Sequence, residues 1–386
     1  MKNLIFLTFI FTGFYTNCPA QDTIQFEVKH QLNFSGQLSG WGVYNGANEL
    51  PINIGTRYIP TLNYVIKMQN SRQFDFEVSG NGFGTLGIHP FDWKQSEGTL
   101  GAYRAWARYS TKHLEIRAGL QKINFGSATL LRPLMWFDQL DPRDPLQLTN
   151  GVWGVLGRYY FMNNANVWLW SLYGNDKRRP WDADKTNKSY PEFGGRLQIP
   201  LPKGEGGITF HHRITDSRKL GEAIPGYAAV AENRVGMDAK WDLGVGLWFE
   251  GTYINKSKET GIFTNTELLN IGTDNTFGIG HGLNLVFEQL LIAYDQNAFA
   301  FSRPTTFSGL SLSYPLSLID NLNAISFYDW NTNSSYNFLN LKRQFNKIAF
   351  YIMVFWNPAN YQLPQQLNSG NYYSGKGIQL MLVFNH

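Results

Sequence analysis

The feature that most constrains this chain is a two-residue alternation of apolar and polar side chains. It recurs from end to end in segments too short to be membrane helices. In the first segment Ile24, Phe26, Val28, Leu32, Phe34 and Leu38 take the even positions, and Thr23, Gln25, Glu27, Lys29, Gln31, Asn33, Ser35 and Gln37 take the odd ones. Leu114, Ile116, Ala118 and Leu120 alternate in the same way with His113, Glu115, Arg117 and Gln121. The pattern returns in 193–201, 208–214 and 235–241. A period of two puts successive side chains on opposite faces of a strand. The longest apolar run after residue 20, Ile348 to Trp356, has nine residues. That is well short of the roughly 20 a membrane helix needs and matches the roughly 9–11 of a tilted membrane strand.

Alternation alone also fits a soluble sandwich. Here the apolar face repeats without a second set of faces to pack against, and aromatics cluster near segment ends, as in the girdles of a lipid-facing wall. Composition agrees. Only 16% of residues are charged, 16% are aromatic and 38 are glycine, whereas a soluble domain carries about 25% charge. Disorder and charged helical folds are excluded, and a net charge of +4 is too small to imply nucleic acid. Lys2, the apolar stretch Leu4 to Phe14 and the small residues of Cys18-Pro19-Ala20 read as a signal peptide over 1–20, cleaved before Gln21. The remainder, 21–386, then contains no cysteine and is exported without a disulfide.

Strand segments are expected near 23–40, 59–69, 72–82 and 101–111, and on to 375–386, eighteen in all. Tight turns such as Asn70-Ser71, Lys112 and Asn346 follow even-numbered strands, and longer connections follow odd-numbered ones. The expected fold is all-β: a single transmembrane antiparallel β-barrel of about 18 strands, with short periplasmic turns and long extracellular loops. Sixteen strands fit if one hairpin is a folded loop. A closed ring has no edge and pairs every backbone group internally, as hydrocarbon requires.

Arg117-Ala118-Gly119-Leu120-Gln121-Lys122-Ile123-Asn124-Phe125-Gly126 resembles the strand-to-loop passage of alginate-export-type porins and related uncharacterised outer-membrane families. Gly272-Thr273-Asp274-Asn275-Thr276-Phe277, with Gly280-His281-Gly282-Leu283 and Glu288, is similar to their later strand–turn–strand unit, although Asn275 stands where an aromatic is expected. The resemblance implies an 18-stranded channel in the outer membrane of a Gram-negative bacterium.

If the apolar parity faces lipid, the other lines the pore. It carries Arg104, Arg108, Glu115, Arg117, Arg158, Arg196, His211 and Arg213, then Glu250, Asp274 and Glu288 further round. A basic wall would thus face an acidic one, although such charges could equally form salt bridges that fill the barrel. The connection 123–151 holds Leu130, Leu131, Leu134, Met135, Trp136 and Phe137, then Asp138, Asp141, Arg143 and Asp144 between prolines. A free loop would not expose so many large apolar groups, so it is expected to fold inward as a constriction, the alternative being a loop packed over the rim. No nucleophile elbow, Walker or dinucleotide pattern occurs, so neither enzyme activity nor a metal or cofactor is expected. The expected function is passive diffusion of small hydrophilic, including anionic, solutes. The alternatives are a sealed barrel serving as a structural or assembly partner, and a barrel for apolar solutes. Expected partners are outer-membrane lipid, lipopolysaccharide, a small solute, and a homo-oligomer or outer-membrane complex. Intact-mass measurement of the purified protein should find Gln21 as the first residue; acyl chains on Cys18 would overturn the signal-peptide assignment.

Overall fold

The computed structural model describes residues 28–89, 92–221, 224–359 and 373–386. The expected signal peptide and the start of the first expected strand, 23–27, lie outside the described residues. The strands are β1 (Lys29–Asn45), β2 (Ile52–Lys67), β3 (Gln73–His89), β4 (Asp92–Ser110), β5 (Leu114–Gln121), β6 (Val152–Tyr160), β7 (Asn166–Leu172), β8 (Lys185–Thr186), β9 (Glu192–Leu201) and β10 (Gly204–Asp216). They continue as β11 (Val230–Asp242), β12 (Gly246–Lys256), β13 (Asn265–Phe277), β14 (Leu283–Asp295), β15 (Thr305–Pro315), β16 (Asp320–Asp329), β17 (Ser334–Gln344), β18 (Ile348–Trp356) and β19 (Lys376–Asn385). All pairings between them are antiparallel, and β19 pairs back onto β1 from Gln37↔Asn385 to Asn45↔Gly377, which closes the ring. The two-residue β8 only extends the sheet along Thr215 and Asp216 of β10, beyond the end of β9. The wall is therefore a closed barrel of eighteen strands.

The barrel is apolar on its outside. Leu32, Val78, Ile116, Leu169, Ile208, Ile271, Phe350 and Leu380 all point outward and are exposed, Leu169 by 65%. Charged side chains point inward: Arg213, Arg234, Glu250 and Glu288 have no exposure at all. This inversion of the soluble pattern is stable when the outer face meets hydrocarbon.

The main departure from the expected strands lies in the first four. β2 begins at Ile52 instead of 59, β3 runs on to His89 instead of 82, and β4 begins at Asp92 instead of 101. Long connections expected after the first and third strands shrink to 46–51 and 90–91. The reason is the residues on the outer face. Register puts Gly40 opposite Thr56, Thr56 opposite Gly84 and Gly84 opposite Gly98, and Gly82 opposite Leu100. On β1, β3 and β4, glycine at the lipid-facing positions erases the apolar half of the alternation while leaving the ladder intact; on β2 the alternation persists through Ile52, Ile54 and Tyr58.

Replacing Ile116, on the outer face of β5, with arginine should cost roughly 2–4 kcal/mol or block insertion. Asn323→Arg, on the inward face of β16 beside an open cavity, should be tolerated. Heat-dependent gel migration of the folded barrel distinguishes the two, and equal tolerance would mean the faces are assigned wrongly.

Candidate functional site

The chain leaves β5 at Gln121, and the side chains that follow pack on inward-pointing residues of the wall. Ile123, Phe125, Leu134, Trp136 and Phe137 pack against the inward side chains Val152, Leu156, Trp170 and Leu172 of β6 and β7. Phe137 meets Trp170 edge-on at 5.4 Å between ring centroids, and Phe125 meets Trp136 at 5.6 Å, a preferred aromatic geometry. Leu130 and Leu131 seat among Leu268, Leu290, Ile292, Phe307 and Phe327 of β13 to β16. One loop therefore makes apolar contacts with two separate arcs of the wall.

A loop buried in this way must find partners for its backbone. Two wall carboxylates supply them. On β12, Glu250 accepts from the amides of Ala128 (2.7 Å) and Leu134 (3.2 Å). On β14, Glu288 accepts from Thr129 N (2.6 Å), Thr129 Oγ1 (3.0 Å), Leu130 N (3.2 Å) and Leu131 N (2.6 Å), and from Asn270 Nδ2 (3.0 Å). Asn270 also donates to the carbonyl of Leu131, and Thr252 Oγ1 to that of Pro133. Glu250 and Glu288 lie on the inward face but under the loop, so they do not face the arginines across open water. Asp274 is half-buried near the short-turn end, beside Gly246.

The inward arginines fall into three groups. Towards the short turns, Arg108 pairs with Asp75 at 2.6 Å, and Arg108, Arg117 and Arg158 gather around Glu115 at 3.6, 3.0 and 3.6 Å. Three strands round the wall from β5, Arg196 of β9 grips both oxygens of Asp238. Above it, Arg213 donates to Glu232 and Asp182, each at 2.6 Å, and Arg234 joins the same pair. Arg179 forks onto Glu192, which also faces His211 at 3.1 Å. This network docks the connection 173–191 inward. Burial alone would raise the Asp182 carboxyl, but the guanidiniums of Arg213 and Arg234 hold it below the usual range. Arg104 differs: its hydrogen-bond acceptors are neutral, namely Thr149 O at 3.0 Å, Thr149 Oγ1 at 2.7 Å and Tyr103 O at 2.6 Å.

Within the loop, Asp138 lies 3.5 Å from Arg132, and Asp141 takes both Nε and Nη2 of Arg143. Asp144 accepts the amides of Leu146 (2.9 Å) and Leu148 (3.3 Å). Burial pushes its carboxyl above the usual range against the pull of those amides. Two cavities flank the loop. One of about 670 Å³ opens at the loop end beside Arg57, Arg104, Asp138, Asp141, Asp144 and Thr149. One of about 170 Å³ lies towards the short turns, beside Arg143, Asp144, Asn323, Asn340 and Lys342. Asp144 lines both, which places it at the division between them.

Sequence reasoning did not single out Arg57, Asp75, Glu192, Glu232, Arg234 or Asp238. For Arg57 a signal existed: the even-position run of Ile52, Ile54 and Tyr58 continues the alternation of β2 backwards and puts Arg57 on the inner parity.

No protein-family model matches the sequence, and no curated protein matches it. Solved structures do match over most of the chain. The barrel is similar to OccAB4 of Acinetobacter baumannii, with a TM-score of 0.55 at 11% identity over 94% of this chain and 99% of that one. It is similar to OccAB1 of the same organism, with a TM-score of 0.55 at 8% identity over 94% and 99%. It is also similar to Pseudomonas aeruginosa OccD3 (OpdP), with a TM-score of 0.52 at 11% identity over 92% and 91%. Identities this low establish a shared fold.

Glu288→Ala would leave the buried amides of Leu130 and Leu131 without their acceptor, at roughly 1–3 kcal/mol each. It should lower the unfolding temperature and make single-channel current noisier, with Glu288→Gln intermediate. Unchanged noise in the alanine variant would show that apolar contacts alone hold the loop.

Proposed function

We propose that this chain is a porin-like channel of the Gram-negative outer membrane, passing small hydrophilic solutes by passive diffusion with a mild preference for anions. The observation that carries the reading is the pair of cavities on either side of the loop, with Asp144 lining both. A loop that crosses a barrel and leaves space on both sides is suited to a constriction. The short-turn end is then periplasmic and the loop end extracellular.

Charge preference follows from which groups are neutralised. Most inward arginines contact carboxylates at short range, as do Arg108, Arg117, Arg196 and Arg213. Arg104 is hydrogen-bonded to neutral oxygens beside the larger cavity, with Glu77 and Asp138 acting on it only through space, so its field is offset in part. A narrow passage with low-dielectric walls concentrates such a field. The carboxylates expected to oppose the arginines, Glu250 and Glu288, are instead bound to loop amides; Asp138, Asp141 and Asp144, which line the larger cavity, moderate the preference. The apolar side chains Leu130 to Phe137 are buried against the wall, which disfavours a greasy pocket for apolar solutes. The likeness to alginate-export-type porins rests on the two quoted passages, in which Arg117 now has a lumen partner and Glu288 a loop to hold. Lipopolysaccharide and further copies of the chain are the partners this location implies.

Planar-bilayer recording tests the reading. The native protein should conduct, and deleting Ala128 to Leu140 should raise conductance. Under a salt gradient, Arg104→Ser should move the reversal potential towards cations. If neither the native protein nor the deletion conducts, the channel reading fails and a sealed scaffold barrel takes its place.

A further inference from the structure

Arg57 is the inward cation with the least conventional surroundings. It lies on β2 between Ser39 of β1 and Phe83 of β3. Its guanidinium sits 4.7 Å from the centroid of the Phe83 ring and 5.8 Å from that of Trp41. Those two rings are themselves stacked, 5.7 Å apart. The arrangement depends on residue 55 being glycine: a Cβ there would come within 2.2 Å of the Trp41 ring. Trp41 can therefore lie flat across β2 and form an aromatic floor. A guanidinium on such a floor is held by cation–π attraction while its N–H edge stays available.

That edge is unused. Among the described residues Arg57 has no hydrogen bond or ion pair, and its Nε is buried without a partner. Asn81 Oδ1, on β3, is also buried and unpaired, and both residues line the larger cavity. The carboxylate of Asp144 is close enough for Coulombic attraction to Arg57, yet the two are not in contact. The attraction is left unclosed because the aromatic floor fixes one charge and the amides of Leu146 and Leu148 fix the other.

We propose that Arg57 and Asp144 form a binding site for small zwitterions, solutes that carry a carboxylate and an ammonium group, as α-amino acids do. The solute carboxylate takes the open fork of Arg57. Its ammonium group lies towards Asp144, with Asn81 Oδ1 as a further acceptor. A simple anion gains from Arg57 but is repelled by Asp144, and a simple cation meets the reverse. A zwitterion satisfies both, and the site lies where the two cavities divide. Such contact must be weak enough to release the solute for a channel to conduct.

The proposal rests on the channel reading, and the experiment separates the two. Full-length protein is placed in liposomes, and swelling rates are compared for glycine and for neutral glycolamide of similar size. Ionic current is recorded with added acetate or methylammonium. Native protein should favour glycine over glycolamide, saturating as glycine rises. Arg57→Gln and Asp144→Asn should each lower that ratio on the order of threefold to tenfold, and Arg57→Lys should restore part of it. Heat-dependent gel migration verifies that each variant is folded. If glycolamide enters but the ratio is the same in native protein and both variants, the site is overturned while the channel stands. If only acetate responds to Arg57, the site is a plain anion site and the zwitterion proposal is overturned. If glycolamide does not enter at all, the channel reading itself falls.

Discussion

Backbone hydrogen bonding in a medium without water governs this structure twice. In hydrocarbon each N–H and C=O must be paired within the protein. Eighteen antiparallel strands do this by closing β19 onto β1. A ring of that size leaves an interior that wall side chains alone do not fill. The connection after β5 turns into that space, and its own amides then face the same requirement. Glu250 and Glu288 meet it by accepting from Ala128, Thr129, Leu130, Leu131 and Leu134. Charge-assisted bonds of this kind are stronger than neutral ones, so two carboxylates can fix a segment that has no ladder of its own.

This use of the carboxylates changes the electrostatics of the lumen. From sequence, the arginines of β4 to β10 and the acids of β12 to β14 form two opposed walls. In the folded barrel most of these charges are neutralised where they stand. Glu115 and Asp75 offset two of the three charges of Arg108, Arg117 and Arg158 near the short turns, and Asp182 with Glu232 balances Arg213 and Arg234 near the loops. A buried charge without such a partner would be strongly unfavourable. At the larger cavity Arg104 and Arg57 stand with Asp138, Asp141 and Asp144.

The wall was legible in the sequence because it follows from one periodicity. Each of the eighteen expected strands has its counterpart, and Ile116 and Arg117 fall on opposite faces. Legibility failed where the lipid-facing residue is glycine. Gly40, Gly82, Gly84 and Gly98 carry no apolar side chain to mark the outer parity, so the upper parts of β1, β3 and β4 read as loop; on β2 the run Ile52, Ile54 and Tyr58 kept the alternation that places Arg57 inward. The apolar content of 130–137 indicated burial. It could not indicate the acceptors, because Glu288 lies more than a hundred residues away and meets Leu131 only when β14 takes its place in the ring. The pairing of Asp182 and Glu192 was hidden for the same reason: their arginine partners come from β10, β11 and their own loop, brought together by closure.

Two small features of β1 and β2 then decide what the passage can do. With any side chain at position 55, the Trp41 ring could not lie across the strand. Arg57 would lose its floor and be free to swing towards Asp144, and a closed ion pair there would cancel both fields and leave no unsatisfied edge. The loop contributes the reciprocal constraint. Its turn from Asp141 to Leu148 is stiffened by Pro142 and Pro145, and the amides of Leu146 and Leu148 hold the Asp144 carboxylate. A cation and an anion kept apart in this way retain their capacity to act on a third, mobile charge. That capacity comes from the rigidity of the two supports: the arginine and the carboxylate alone would pair with each other.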